Sequence, residues 1–187
     1  LDRIHTTMSD SEPLSSTVPA SAALVPVVAA MEMLQAQAPA ALSDLELHVY
    51  GGPLDAVSAD YLDKSPVRSQ VRHFGRIEAD LRTGVSGRDR ILHLMRSVDL
   101  LLLLHGTEAI CSEYIPSKMY EYLWMQRPIL ALVYRNPQMS DILRTQGHQV
   151  VEIAERRGGE LEGAEADVVQ SLVVNAVGLV CVLDQLV

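Results

Sequence analysis

Two glutamates and the start of a helix lie close together in residues 112–131, SEYIPSKMYEYLWMQRPILA. Glu113 precedes the predicted helix, and Glu121 follows eight positions later, inside it. Pro116-Ser117 opens the helix, where free backbone N–H groups and the helix dipole favour an anion. The same dipole disfavours Lys118 in the first turn, so we interpret this lysine as a charge directed at a phosphate.

Glu121 is suited to recognising a sugar rather than a phosphate. A carboxylate on the crevice side of a helix can accept hydrogen bonds from two ribose hydroxyls, a role that acidic residues have in dinucleotide-binding folds. Together with an anion site at the helix start, this carboxylate favours one type of ligand, a diphosphate flanked by two sugars.

The predicted strand at residues 99–104, five leucines after Asp99, precedes this stretch, and a second apolar run, residues 129–133, ends it. Unbroken runs of Leu, Ile and Val are typical of parallel strands that helices cover on both faces. Open α/β sheets bind ligands outside the carboxyl ends of such strands. We therefore expect Glu113 and Glu121 to face a crevice at this edge of the sheet. His105, which ends the first run, is expected to make a minor contact there.

The rest of the chain alternates strand patterns with helical ones. Strands are predicted at residues 1–7, 45–50, 67–77, 99–104, 129–133 and 149–153. Besides the helix after Pro116, helices are predicted at residues 20–38, 56–62, 88–97, 140–146 (capped by Ser140) and 166–187. This alternation predicts an α/β fold with a Rossmann-like, doubly wound, mostly parallel sheet and helices on both faces. A length of 187 residues predicts a single domain, residues 1–187.

Charge and composition exclude other classes of protein. The net charge is −9 and Lys and Arg form no cluster, which argues against a nucleic-acid partner. The two cysteines, Cys111 and Cys181, and the six histidines have no metal-ligand spacing, so no metal is expected. A cytoplasmic location is predicted, because no signal peptide is visible and the cysteines lack a disulfide pattern.

Two further apolar features have structural interpretations. The longest apolar stretch, residues 172–183, is interrupted by Asn175 and is shorter than the roughly 20 residues that span a membrane. Trp124 and Met125, on the central helix, are interpreted as core residues rather than as part of a cofactor site.

Residues 98–132, VDLLLLLHGTEAICSEYIPSKMYEYLWMQRPILAL, resemble the donor-binding region of retaining glycosyltransferases of the GT-B fold, of the family 4 type. In that family a buried strand precedes a glutamate, a second glutamate follows in a helix, and a Pro-Val/Ile-Leu strand comes next. Glu113, Glu121 and Pro128-Ile129-Leu130 match this order, and IPSKMYEYL is close to the variant PSK-x-x-EYL. FGRI at residues 74–77 resembles the family's F-x-G-x-v strand end.

The resemblance implies roles for individual residues. Glu113 would lie near the reacting centre of the donor sugar, as the catalytic carboxylate. Glu121 would take the ribose hydroxyls, and Arg76 and Ile77 would lie beside the nucleobase. The diphosphate would be held by the backbone of Ile115, Pro116 and Ser117 and by Lys118. The substrate would be a nucleotide sugar, with no metal and no other cofactor, because the helix start and basic side chains stabilise the diphosphate leaving group.

The chain departs from this family pattern at the phosphates. The family has a glycine-rich turn after its first strand and an Arg and a Lys that clamp the diphosphate. Residues 6–10 here read TTMSD, and no Lys or Arg lies between Arg3 and Lys64. Either Lys118, Arg82 or Arg88 takes the place of the clamp, or the donor is bound weakly.

The length fits only the C-terminal half of a GT-B enzyme. We therefore expect the N-terminal acceptor domain to be absent from this chain, and the fragment to be inactive alone. That half would also supply any membrane association. The leading hypothesis is the donor domain of a hexosyltransferase in polysaccharide or glycoconjugate biosynthesis. The alternatives are a non-catalytic α/β interaction module that has lost donor binding and a sugar-nucleotide epimerase-like domain.

Overall fold

The computed structural model describes residues 24–106, 109–153, 164–174 and 179–183, and has the α/β architecture that the sequence predicts. The helices are α1 Val25–Gln37, α2 Pro39–Ser43, α3 Ala56–Lys64, α4 Gly87–Ser97, α5 Ser117–Trp124, α6 Pro137–Thr145 and α7 Ala164–Val174. The strands are β1 Glu46–Tyr50, β2 Val71–His73, β3 Leu100–Leu104, β4 Ile129–Tyr134, β5 Gln149–Ile153 and β6 Leu179–Leu183. Within these ranges no helix is both long and apolar enough to cross a membrane.

The six strands form one sheet in the order β2-β1-β6-β3-β4-β5, and all its pairings are parallel. From β1 the chain runs outward to β2, and from β3 it runs the other way through β4 to β5. The direction therefore reverses between β1 and β3, which is the arrangement of a doubly wound sheet. Crevices at such a reversal open at the carboxyl ends of the strands.

The side chains of β3 show why its unbroken leucine run is stable in this position. Leu100 and Leu102 enter a core formed with α1, α3 and α7, whereas Leu101 and Leu103 enter a second core formed with α4, α5 and α6. Successive side chains of a strand point to opposite faces, so a strand covered on both faces needs apolar residues at every position. Helices therefore cover both faces of the sheet, as predicted.

The closing helix predicted at residues 166–187 is confirmed over residues 166–174 and is wrong at residues 179–183. α7 ends at Val174, and residues 179–183 form β6, which pairs with β1 on one side and β3 on the other. An apolar run without polar positions does not distinguish a buried helix from a buried strand by its periodicity. The strand predicted at residues 1–7 lies outside the described residues.

Other predicted boundaries need smaller corrections. β2 has three residues, not the eleven predicted at 67–77, because a 3-10 turn at Arg68–Gln70 precedes it. α6 begins at Pro137, and its cap is Asn136 rather than Ser140: the Asn136 side chain accepts a hydrogen bond from the Met139 amide. Asparagine followed by proline is a favourable helix start, since proline at the first position needs no N–H partner.

The start of α4 lies directly against the backbone of residues 77–79, and Gly87 makes this approach possible. A Cβ atom on Gly87 would lie 2.6 Å from the carbonyl oxygen of Ile77. Gly87→Ala is expected to reduce the free energy of unfolding by about 1–3 kcal/mol, because backbone cannot yield as a flexible side chain can. Urea denaturation followed by circular dichroism measures the change.

Gly52→Ala is the matched control for that substitution. A Cβ atom on Gly52 meets nothing within 4 Å, and its φ is not in the left-handed region. We expect its stability to be unchanged or slightly raised. Equal effects of the two alanines would contradict the close approach of α4 to Ile77.

Candidate ligand-binding site

The carboxyl ends of β3 and β4 meet at His105, which is 3% exposed. Its backbone amide donates to the carbonyl of Leu132 at 3.0 Å, and its Nδ1 accepts from the amide of Tyr134 at 3.4 Å. The ring of Tyr114 meets the imidazole edge-on, with 6.1 Å between centroids. His105 therefore lies at the carboxyl edge of the sheet, as predicted. It is buried there, where it contacts both strands and the loop that carries Glu113.

α5 begins at this edge with an open amino terminus. Pro116 is its cap residue and supplies no side-chain acceptor to the first turn. Ser117 is exposed, Lys118 is half-buried, and Ile115 packs against the core on the α4–α6 face. The apolar anchor at Ile115 fixes the direction in which the helix starts. Its uncapped amides favour an anion, as the sequence predicts.

Glu121 lies on a half-buried side of α5, where it meets Arg88 in the first turn of α4. The guanidinium nitrogens Nη1 and Nη2 of Arg88 lie 3.4 and 3.3 Å from Oε1 of Glu121. The Glu121 side chain is 25% exposed and that of Arg88 is 61% exposed. The second carboxylate oxygen, Oε2, is shielded from solvent and has no hydrogen-bond partner in the described part of the chain.

Glu113 is exposed on the loop between a 3-10 turn and α5, and its backbone amide donates to the carbonyl of Ile110 at 3.1 Å. Among the described residues its carboxylate bonds to no other predicted site residue. What fixes its loop is Asn136, a 4% exposed residue whose role the sequence analysis missed. Its side-chain amide donates to the carbonyls of Cys111 at 3.1 Å and Tyr114 at 2.9 Å, on either side of Glu113.

Arg76 and Ile77 lie together on the wall of a pocket of about 910 Å³. The pocket lies between the segment that follows β2 and the length of α4, where Asp89, His93 and Ser97 line it. Arg76 is exposed and Ile77 is half-buried. The α4 residues that line the pocket include Asp89, Arg90 and His93 but not Arg88, so the pocket and Glu121 meet different faces of α4.

Two stacked aromatic rings form the apolar end of this pocket. The rings of Tyr50 and Phe74 are 4.8 Å apart and nearly parallel, at 11°, and His48 meets Phe74 edge-on at 4.8 Å. His48 is held in turn by Glu46 at 2.8 Å, and this hydrogen bond lowers the pKa of the exposed Glu46 carboxyl. Phe74 is 48% exposed, so one end of the stack remains open to a planar ligand.

A tight turn at residues 80–85 forms the rim of the pocket. The hydroxyl of Thr83 and the amide of Arg82 hydrogen-bond the carboxylate of Asp80 and hold its pKa below the ordinary value. Gly84 closes the turn with a φ of +73°. The turn carries Arg82, which is exposed, and Val85, which lines the pocket.

The interpretation of Trp124 as a core residue is wrong, whereas Met125 is buried as predicted. Trp124 is 79% exposed and Tyr120, one turn earlier, is 54% exposed. The buried residues of α5 are Met119 and Tyr122, with Met125 at its end. These positions lie on one face of the helix, and Tyr120 and Trp124 share the opposite face.

In the ranges that the structure describes, no three His, Cys, Asp or Glu side chains cluster as metal ligands would. No protein-family model matches the chain, and comparisons with curated proteins and with solved structures found no match either.

Proposed function

We propose that the chain binds a nucleoside diphosphate sugar at the carboxyl edge of its sheet, as the donor-binding domain of a retaining glycosyltransferase. The observation that carries this proposal is the state of the Glu121 carboxylate. Its Oε2 atom is shielded and without a partner in the described residues, at the end of the sheet where doubly wound folds bind ligands. Desolvating a carboxylate oxygen without a hydrogen bond is costly, and a hydroxyl donor removes that cost.

The pocket between residues 74–78 and α4 suits the nucleobase. It joins a stacked aromatic surface, formed by Phe74 over Tyr50, to polar groups at Arg76, Asp89 and His93. A purine or pyrimidine presents a flat apolar face and hydrogen-bonding edges, which match these two kinds of wall. The backbone at Ile77 lies close to Gly87 and adds polar groups to this wall.

The diphosphate would lie between the two helix starts. The uncapped amino terminus of α5 and the half-buried Lys118 favour its charge on one side, and Arg88 in the first turn of α4 on the other. When the bond between sugar and diphosphate breaks, negative charge grows on the leaving phosphate, and these groups stabilise it. Glu113, on the loop fixed by Asn136, would position the donor sugar, and an acceptor domain outside this chain would complete the reaction.

Glu121→Gln tests the ribose contact directly. We expect affinity for the preferred nucleotide among UDP, GDP, CDP and dTDP to fall about tenfold to a hundredfold, because hydrogen bonds to a carboxylate exceed those to a neutral amide. Isothermal titration calorimetry measures it. If UDP is preferred, comparison with dUDP isolates the 2′-hydroxyl, and Glu121→Gln is expected to remove the difference between them.

Glu152→Gln is the matched control, because Glu152 is an exposed glutamate paired with Arg144 at 2.8 Å, on β5. Its nucleotide affinity is expected to equal that of the wild type. Saturable binding that is insensitive to Glu121→Gln would contradict the ribose role. Binding of no nucleotide at millimolar concentration would contradict the proposed function of this chain.

A second candidate function is a non-catalytic interaction module. Tyr120 and Trp124 form an exposed aromatic face on α5, which is unusual on a surface that contacts only water. This candidate requires that nucleotides do not bind, so the same titration separates the two functions.

A further inference from the structure

Arg88 occupies a position that the electrostatics of α4 do not favour. A cation in the first turn of a helix is repelled by the positive end of the helix dipole. Within the described part of the chain its side chain bonds only to Glu121, at 3.3 and 3.4 Å, and it is 61% exposed. Ion pairs as exposed as this contribute little to stability. Stabilisation of the fold therefore does not account for an arginine here.

The contact between Arg88 and Glu121 gives a hydrogen-bond partner to only one of the two carboxylate oxygens. A guanidinium can bond both oxygens of a carboxylate through two parallel N–H groups. Both nitrogens of Arg88 instead point at Oε1, while Oε2 is shielded and bonds to none of the described residues. The contacts are also long for charge-assisted hydrogen bonds. A ligand that brings hydroxyl donors to Glu121 and an acceptor to Arg88 would satisfy both groups better than they satisfy each other.

Of the two arginines in the first turn of α4, Arg88 is the one that can exchange Glu121 for a phosphate. Arg90, two positions later, already donates to the carbonyl of Glu78 at 2.5 Å. No Lys or Arg lies between Arg3 and Lys64, so β1 and its loops bring no cation to the sheet edge. Ribose and α-phosphate are neighbouring groups of one nucleotide. A guanidinium at a carboxylate that binds the ribose would therefore lie near the phosphate of the same nucleotide.

We propose that Arg88 and Glu121 form a pair that a nucleotide opens: the ribose hydroxyls replace Arg88 at the carboxylate, and the released guanidinium binds the phosphate. This proposal rests on the proposed function and adds the exchange of partners by which Arg88 reaches the diphosphate. It assigns Arg88 two opposite effects. In the ligand-free protein it competes with the ribose for Glu121, and in the complex it holds the phosphate.

The two effects separate when a nucleoside is compared with its diphosphate. Arg88→Ala is expected to lower the affinity for UDP about tenfold to a hundredfold, since a charge-assisted contact to phosphate is lost. The same substitution is expected to leave the affinity for uridine unchanged or to raise it, because uridine no longer displaces a guanidinium. If another base is preferred, its nucleoside and diphosphate replace this pair. Calorimetry measures the diphosphate and NMR titration the nucleoside.

Arg96→Ala is the control, since it removes the same charge from the other end of α4. It should change neither affinity. Equal losses for uridine and UDP with Arg88→Ala, or no loss for UDP, would overturn the exchange while leaving nucleotide binding intact. Failure of the wild type to bind any of the diphosphates would overturn the proposed function together with the exchange. The exchange is supported if Arg88→Ala lowers the affinity for UDP and leaves the affinity for uridine unchanged or raises it.

Discussion

Replacing Val180 by proline is expected to reduce the free energy of unfolding by at least about 3 kcal/mol, a large part of the 5–15 kcal/mol typical of a domain. Val180 is in β6 and pairs with Leu47 of β1 on one side and Leu100 of β3 on the other. In a strand with neighbours on both sides, every backbone N–H points to a partner. Proline removes one N–H and leaves a carbonyl of the adjacent strand without its donor.

Thermal unfolding provides the measurement for this substitution. For a chain of this length, a loss of that size lowers Tm by on the order of 10 °C. Val180→Ile keeps the N–H and the β-branched shape, and its Tm is expected to stay within a few degrees of the wild type. A Val180→Pro variant as stable as the wild type would show that β6 is not an inner strand of the sheet.

Asn136→Ala is expected to cost about 3 kcal/mol, because one buried side chain makes three hydrogen bonds. Its amide donates to the carbonyls of Cys111 and Tyr114, and its oxygen caps α6 by accepting from the Met139 amide. The loop that carries Glu113 is therefore tied to the start of α6. Nucleotide-sugar affinity is expected to fall as well, since the loop loses its two anchors.

Asn136→Ser divides this cost into its parts. Serine retains a capping oxygen but lacks the amide that reaches the two carbonyls, so its stability should lie about 1 kcal/mol above that of Asn136→Ala. Urea denaturation of the three proteins gives the comparison. Identical stabilities for wild type and Asn136→Ala would contradict the anchoring role.

Most of the sheet could be predicted from the sequence, because apolar runs are unambiguous where both faces of a strand are covered. β3, β4 and β5 each lie within one residue of their predicted bounds. β6 was missed for the same reason: its apolar run also fits a buried helix, and only pairing with β1 and β3 decides between them.

The site could be predicted only in part, since some of its contacts join residues that are distant in sequence. Glu113, Pro116 and Glu121 lie within nine positions of one another, so their arrangement around the helix start could be predicted from the sequence. The contact of Arg88 with Glu121 joins residues 33 positions apart, and that of Asn136 with Cys111 joins residues 25 positions apart. Such pairs depend on how helices pack on the sheet. The exposure of Trp124 likewise depends on which face of α5 packs against the core.

The position of β6 has a consequence for the synthesis of the chain. β1 to β5 emerge from the ribosome before β6, yet β6 lies between β1 and β3 and pairs with both. Until it arrives, the β2-β1 pair and the β3-β4-β5 group are two part-sheets, and the described strands offer no other link between them. Each part-sheet exposes an apolar strand edge, the kind of surface through which unfinished chains aggregate. Nascent chains stopped before residue 179 are therefore the species that chaperones must protect.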